Sequence, residues 1–297
     1  MCEVVLSLLE QSLIFLPLAI GSYIIFSLMK VPNLSLQSAF LMGAVGGSLM
    51  VAFGQGLPFV ILAFLSVGVS LLGGALVGLV SSIITQKGRV PHLLSSIVTL
   101  GIFHGVLIYI LNGSFFSLSD YGNPLEYSCI FTQYPELMSF LIIGVILISL
   151  FSLLLKTELG YSLAIYGDNP AFFEHYRIST GFVFMVGSML SNALAGLSGY
   201  LFAQSSGFVE LAMGVDIVLL CIMTLILGRV FIGLLKPVGI LIPILGIILY
   251  CFLQQLIVFL GFNLKYFSVI EGLIILIVVI YKFRKSPKNV HSDQLGV

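Results

Sequence analysis

Three acidic residues lie inside or beside long apolar runs, where charge is unexpected. They are Glu10, Asp216 and Glu271. A carboxylate is costly in hydrocarbon, so such residues are candidates for function. Each also has a structural explanation. Glu10 is near the end of its run and Asp216 could cap a helix, while Glu271 could reach the membrane surface near Lys265. The three do not form the repeated acid and His pattern expected of a proton relay.

A stripe of small and polar residues runs along one face of the apolar segment 180–203. Its members recur at helical spacing and are Ser188, Ser191, Asn192, Ala195, Gly196 and Gly199. Small side chains let a second helix approach closely, so packing alone explains most of the stripe. A polar Asn192 near the middle of a membrane span also favours a wall of an aqueous pathway.

The connection 156–180 combines polar and aromatic residues, which is unusual for a plain linker. Asn169 can cap a helix and Pro170 suits its first position, so the sequence predicts a short helix from there to Ile178. This helix would display Phe172, Phe173 and Tyr176. Two interpretations are open: the helix docks in a groove of a cytoplasmic partner, or it lies on lipid headgroups.

The elements that must position these residues are transmembrane helices. The chain of 297 residues is 59% hydrophobic and 8% charged, which no soluble core of this size could accommodate. Runs of about 20 apolar residues match a hydrocarbon layer of about 30 Å. The sequence therefore predicts an all-α polytopic bundle of about nine spans, with eight to ten allowed. The spans are 5–29, 36–53, 57–85, 92–111, 137–155, 180–203, 212–234, 238–260 and 268–282.

The basic residues predict how the bundle is oriented. With nine spans, eleven of the twelve Lys and Arg residues fall in connections on one side, and only Lys265 falls on the other. Basic loops are retained in the cytoplasm, so the N-terminus is predicted outside and the C-terminus inside. We expect one transmembrane domain, residues 1–283, and a short basic, disordered tail, residues 284–297.

Several classes of function are disfavoured. The sequence has no G-x-x-x-x-G-K-[ST] loop for ATP, no G-x-S-x-G elbow and no H-E-x-x-H helix, so we expect neither an ATPase nor a hydrolase. Zero net charge argues against a nucleic-acid partner. The four cysteines have no metal-binding spacing, so no metal, cofactor or disulfide is expected.

Four stretches resemble the membrane permeases of ATP-binding-cassette importers of the branched-chain amino acid and ribose type. The segment Glu10 to Phe40 is similar to the family's opening, which ends in PDLTxDGSF. LGYSLAIYGDNP, from Leu159, resembles the family's coupling loop LGxALRAxGDN. The most specific stretch, Leu190 to Gly214, has LSNAL, LSG, AQ, GF and MG in the family's order, and GFNLKYFSVIEG resembles a C-terminal segment. The closest resemblance is to a subgroup of uncharacterised permeases, some linked to tryptophan.

The resemblance implies a permease of the bacterial inner membrane that moves a small, amino-acid-like solute and is not itself an enzyme. Implied partners are a cytoplasmic ATPase, an extracytoplasmic solute-binding protein and a second permease subunit, identical or similar. It also implies that the connection 156–180 couples the permease to the ATPase. The coupling residues would be Gly167, Asp168, Asn169, Pro170, Phe172, Phe173, Glu174, Tyr176 and Arg177.

For the translocation pathway we predict two walls, one on the stripe and one following the first span. Their residues are Asn33, Ser35, Gln37, Ser188, Ser191, Asn192, Gly196, Gly199 and Gln204. The chain departs from the family's pattern at four positions. Asn33 and Gln37 replace acids, Ala164 replaces an arginine, and Arg229 replaces an acid. The competing function is an ion-coupled transporter or channel that works without an ATPase.

Overall fold

A computed structural model describes residues 2–125, 136–175, 179–232, 239–261 and 267–285. Within these ranges the protein is a bundle of helices with one pair of short strands. The helices are α1 (Cys2–Ser22), α2 (Ser35–Phe53), α3 (Phe59–Gly88), α4 (His92–Leu111), α5 (Leu137–Leu155), α6 (Glu158–Asp168), α7 (Phe172–His175), α8 (Thr180–Ser206), α9 (Ile217–Ile232), α10 (Leu241–Phe259) and α11 (Phe267–Lys285). A π-helical turn, Tyr23–Leu28, continues α1, and the strands are β1 (Phe115–Ser117) and β2 (Phe208–Glu210).

The described residues contain eight helices that are long and apolar enough to cross a membrane. They coincide with the first eight predicted spans, so the helical membrane bundle is confirmed. The ninth predicted span, 268–282, coincides with α11, whose described apolar part is Phe267–Val278. The total of nine spans stays a prediction, and the tail from residue 286 onward lies outside the described residues.

Local sequence signals set several helix boundaries. Pro58 and Pro91 directly precede α3 and α4. Proline is tolerated there because the first N–H groups of a helix have no partner within the helix, so no hydrogen bond is lost. The hydroxyl of Ser179 caps α8 by accepting from the Phe182 N–H at 3.3 Å. That helix ends at Gly207, whose φ of +76° is the left-handed conformation that glycine adopts without steric cost.

Basic residues gather at one end of the bundle. The Lys30 ammonium pairs with the Asp168 carboxylate at 2.6 Å, and the Arg229 guanidinium donates to Ser27 Oγ at 2.7 Å. The Gln86 amide donates to the Gly181 carbonyl at 2.6 Å, which brings the end of α3 beside the start of α8. We call this the basic end, and its described basic residues are Lys30, Lys87, Arg89, Lys156 and Arg229.

Acidic residues gather at the opposite end, which we call the acidic end and define by Glu10, Glu136, Glu210 and Asp216. Ser205 Oγ donates to Glu10 across α8 and α1, and Ser268 Oγ donates to Asp216 across α11 and α9. Strands β1 and β2 pair antiparallel here, with Phe115 opposite Glu210. This separation of charge agrees with the predicted alternation of the spans, and the assignment of the basic end to the cytoplasm stays a prediction.

Candidate translocation and coupling sites

The small residues of the α8 stripe are used by helix packing. A Cβ placed on Gly196 would lie 2.6 Å from the Ser70 carbonyl oxygen of α3, and one on Gly199 would lie 1.9 Å from the Phe40 carbonyl oxygen of α2. Contacts this short leave no room for a side chain or a solute. Neighbouring backbones thus occupy the space beside Gly196 and Gly199 in this structure, and their place on the pathway stays a prediction.

The polar members of the stripe are buried as well. Ser191 Oγ donates to the Gly21 carbonyl of α1 at 2.7 Å, and Ser188 Oγ donates to the Gly78 carbonyl of α3 at 3.2 Å. Both side chains and that of Asn192 are fully buried. Their place on the pathway likewise stays a prediction. Each hydrogen bond joins α8 to another helix, as polar groups do inside membrane bundles.

Asn192 connects the stripe to the start of α2. Ser35 Oγ lies within hydrogen-bond distance of two oxygens, 2.7 Å from Asn33 Oδ1 and 3.0 Å from Asn192 Oδ1. The Asn192 amide donates to the Ser188 carbonyl at 2.8 Å. Asn33 and Ser35 are buried with it, so these two predicted pathway residues also belong to a packed polar network. The network fixes the first turn of α2 against the middle of α8.

The two glutamines of the predicted pathway lie apart from this network. Gln37 is partly exposed, and its Cγ would lie 3.2 Å from a Cβ on Gly214, close to the acidic end. Gln204 is buried near the end of α8, and its Nε2 has no hydrogen-bond partner among the described residues. None of the nine predicted pathway residues is in the lining of the cavity described below.

The connection after α5 is more helical than the sequence predicted. Helix α6 occupies its first half and is capped by Thr157, whose hydroxyl oxygen accepts from the Gly160 N–H at 3.4 Å. Its apolar face packs on α8, where the Tyr166 ring stacks on Phe184 at a centroid distance of 5.9 Å. This tertiary contact stabilises a helix that sequence reasoning missed.

Asn169 ends α6, and its carbonyl oxygen also accepts from the Phe172 N–H at 3.1 Å at the start of α7. Its N–H donates to the Ile165 carbonyl at 2.8 Å, as expected at the end of a helix. The following Pro170 disfavours helical conformation at Asn169, so the chain turns there. Helix α7 is then a single described turn, Phe172–His175. Tyr176, Arg177 and the side chain of Glu174, three predicted coupling residues, lie outside the described residues.

The two aromatic residues of α7 differ in exposure. Phe173 is 1% exposed and belongs to the main hydrophobic core, whereas Phe172 is 39% exposed. The prediction that Phe173 is displayed to a partner is wrong, because its ring anchors α7 to the bundle. Phe172 remains at the surface of this turn.

Gly167 and Asp168 join α6 to the end of the first span. A Cβ on Gly167 would lie 2.0 Å from the Leu28 carbonyl oxygen, so only glycine permits this approach. The ion pair between Asp168 and Lys30 bridges the same two segments. The end of α6 therefore contacts Leu28 and Lys30, which precede α2 and its contact with Asn192.

A polar cavity that sequence reasoning missed opens at the acidic end. It has a volume of about 390 Å³ and lies between α1, α8, α9, α10 and α11. We call it the acidic-end cavity, and its polar lining consists of Gln11, Asp216, Tyr250, Gln254, Ser268 and Glu271. Phe15, Phe202 and Phe267 add aromatic walls.

Hydrogen bonds across helices hold the polar lining in place. The Tyr250 hydroxyl of α10 donates to Glu271 of α11, and Gln11 Nε2 of α1 donates to Gln254 Oε1 of α10 at 3.1 Å. Glu271 is 1% exposed. The expectation that it reaches the membrane surface near Lys265 is wrong, because Tyr250 and the cavity accommodate it inside the bundle.

The other two acids of the sequence have different surroundings. Asp216 is exposed, accepts from Ser268 Oγ at 2.8 Å and lines the cavity beside Glu271. Glu10 accepts a longer bond of 3.4 Å from Ser205 and is absent from the lining. The sequence identified all three acids as candidates. It did not predict that Asp216 and Glu271 line one cavity, because this depends on the contacts of α9 with α10 and α11.

Comparison with known proteins agrees with this architecture. Residues 4–279 match the family described as branched-chain amino acid transport system, permease component. The chain is 31% identical over 280 residues to a tyrosine transport system permease protein of Clostridioides difficile, covering 93% of this chain and 89% of that protein. It is 28% identical over 227 residues to an uncharacterized protein of Rickettsia prowazekii, covering 76% and 77%.

A third relative is the autoinducer 2 import system permease protein LsrC of Yersinia enterocolitica. It is 26% identical over 247 residues, covering 82% of this chain and 66% of that protein. No solved structure matches the chain. The family match spans most of the sequence and agrees with the predicted resemblance. The chain therefore belongs to the permease family of branched-chain amino acid transport systems and is a multi-pass inner-membrane permease of an ATP-binding-cassette importer.

Proposed function

We propose that the solute enters this permease through the acidic-end cavity and leaves at the basic end, driven by a separate ATPase. The observation that carries the proposal is the cavity itself, because six polar side chains from four segments of the bundle line one open space. Polar residues within membrane segments face a pathway or a partner, since lipid cannot solvate them. We therefore propose a pathway in the space between α9, α10 and α11 instead of along the α8 stripe.

The direction of transport follows from the orientation proposed for the bundle. Lys and Arg residues at the basic end favour the cytoplasm. The acidic-end cavity then faces the outside, where a solute-binding protein delivers its cargo. Two permease subunits, identical or similar, complete the pathway in this proposal.

The solute is a small molecule of the amino acid class. The family description and the tyrosine transport relative support this class, and the amide, hydroxyl and carboxylate groups of the cavity suit a polar ligand. A volume of about 390 Å³ falls within the range of small-molecule sites, roughly 300 to 1,000 Å³.

Coupling to the ATPase occurs at α6 and α7. Phe172 is an aromatic side chain on a short helix at the basic end, and Phe173 anchors that helix in the core. A movement imposed on α7 reaches the first span through the Lys30–Asp168 ion pair and the Gly167 contact with Leu28. Rigid contacts of this kind transmit motion between packed elements.

Replacement of Phe172 tests the coupling assignment. We expect Phe172→Asp to reduce co-purification of the ATPase and ATP-driven uptake by the complete importer at least about tenfold, as loss of an interface anchor does. The thermal stability of the permease should stay unchanged. Phe53→Asp is the matched control, because Phe53 is an exposed phenylalanine at the opposite end of the bundle. Undiminished co-purification with Phe172→Asp would refute the assignment.

A further inference from the structure

The acidic-end cavity has a distinct distribution of charge. Two of its lining residues are carboxylic acids, Asp216 and Glu271, and no described lining residue is basic. The remaining polar groups are neutral amides and hydroxyls. A cavity with this lining attracts a cation and repels a free carboxylate.

The two acids of the cavity lie at different depths, as their exposure shows. Asp216 is exposed at the start of α9, whereas Glu271 is buried a turn into α11. Tyr250 donates its only hydroxyl proton to Glu271, which holds this carboxylate in one orientation. A buried acid held by a single described donor retains capacity to accept further hydrogen bonds.

The amide pair and the aromatic walls complete the cavity. The Gln11–Gln254 bond leaves one Gln11 N–H and both Gln254 N–H donors for other partners. Phe267 meets the Tyr250 ring edge to face at a centroid distance of 5.6 Å, and Phe15 lies 5.4 Å from Phe202. Such rings suit an apolar side chain or a cation over a ring face.

We propose that the acidic-end cavity is a recognition site for a protonated primary amine, so that the permease itself selects its solute. Glu271 and Asp216 accept hydrogen bonds from the ammonium group, Tyr250 positions Glu271, and the aromatic walls contact the apolar part of the solute. The proposal rests on the proposed function, and it assigns a second selection step in addition to that of the binding protein.

Binding is measured on the full-length permease in detergent micelles, without ATPase or binding protein. The chain contains no tryptophan, so a Phe267→Trp variant carries a single tryptophan, in the cavity wall, that can be excited selectively over the twelve tyrosines. The probes are phenethylamine, L-phenylalanine and 3-phenylpropionate, which share an aromatic ring and differ in their ammonium and carboxylate groups. We expect a saturable change of emission with the first two probes and none with 3-phenylpropionate.

Charge-neutral variants locate the site. In the reporter background, Glu271→Gln and Asp216→Asn should each weaken phenethylamine binding about tenfold or more, because hydrogen bonds to charged groups are stronger than neutral ones. Glu10→Gln is the matched control and should retain the affinity, since Glu10 is an acid at the same end but outside the lining. Asp216 is exposed, so its variant remains informative if Glu271→Gln does not fold.

Three results would overturn the proposal. One is binding of 3-phenylpropionate as tight as that of phenethylamine, and another is unchanged affinity in both charge-neutral variants. The third is the absence of any saturable change of emission with phenethylamine. ATP-driven uptake by the complete importer is measured separately, so intact uptake without amine binding would overturn this inference alone.

Discussion

Asn192 illustrates how a polar residue in the middle of a membrane helix can serve structure. It accepts from Ser35 of α2 and donates to Ser188 of its own helix, and all three side chains are buried. Interhelical hydrogen bonds in membranes contribute roughly 0.6 kcal/mol on average and up to about 1.7 kcal/mol. The hydrogen bonds of Asn192 therefore contribute to the stability of the bundle.

Replacement of Asn192 distinguishes this role from a place in the pathway. We expect Asn192→Ala to lower the free energy of unfolding by roughly 1 to 2 kcal/mol, from the lost hydrogen bond and the small void. Titration with SDS in mixed micelles measures this change. Ser149→Ala is the control, because Ser149 is exposed on α5 and its hydroxyl donates to the Val145 carbonyl of its own helix. Unchanged stability with altered solute preference would contradict the structural role.

At the scale of residues, the sequence identified candidate functional side chains but did not predict which of them lie together in the fold. Asp216 and Glu271 were recognisable because charge is rare in apolar runs. Their meeting in one cavity depends on the contact of α9 and α10 with α11, which helical periodicity does not encode. The role of Asn192 stayed ambiguous for a different reason. A polar residue on a small-residue face fits a pathway and a packed interface equally well in sequence.

Glycines let α8 approach α2 and α3 at backbone distance. Gly43 and Gly196 face each other across α2 and α8, since a Cβ on Gly43 would lie 2.1 Å from the Gly196 carbonyl oxygen. Gly74 of α3 faces Asn192 in the same way, at 2.2 Å from its carbonyl oxygen. Close contact of this type is a main source of helix association in lipid.

A pair of glycine substitutions tests this packing. We expect Gly199→Ala to destabilise the permease by about 1 to 3 kcal/mol, since its Cβ would collide with the Phe40 carbonyl oxygen. Gly105→Ala is the matched control, because nothing lies within 4 Å of a Cβ at that position of α4. Thermal unfolding followed by size-exclusion chromatography compares the two variants. Equal melting temperatures would refute the packing role of Gly199.

The elements were predictable where apolar runs were long. The first eight predicted spans coincide with helices because a backbone inside lipid must bond to itself. Helix α6 was missed because its stability comes from contacts such as Tyr166 on Phe184, between segments distant in sequence. Asn169 was predicted to start a helix. Asparagine favours helix termini, but this preference does not distinguish the end of α6 from the start of α7.

Basic residues lie at one end of the described molecule, and a group of acidic residues lies at the other. Lys30, Lys156 and Arg229 lie at the basic end, and Glu10 and Asp216 lie at the acidic end. Hydrogen bonds such as Arg229 to Ser27 at one end and Ser205 to Glu10 at the other place these residues at opposite ends of the fold. The asymmetry of basic residues then predicts the orientation of the bundle.

Reporter fusions test the orientation and the number of spans together. We expect green fluorescent protein fused after Val297 to be fluorescent and alkaline phosphatase at the same position to be inactive, because nine spans place the C-terminus in the cytoplasm. Alkaline phosphatase fused after Asn112, beyond α4, should be active and serves as the control. Active phosphatase after Val297 would contradict the nine-span orientation.

The most direct test of the central claim asks whether water and solute reach the acidic-end cavity or the α8 stripe. The four native cysteines are replaced, and single cysteines are introduced as Ser268→Cys in the cavity or Ser191→Cys in the stripe. A membrane-impermeant methanethiosulfonate reagent is then applied from outside to the complete importer. We expect labelling at position 268 that blocks uptake and is slowed by solute, with no labelling at position 191. Labelling at position 191 with an unreactive position 268 would contradict the proposed pathway.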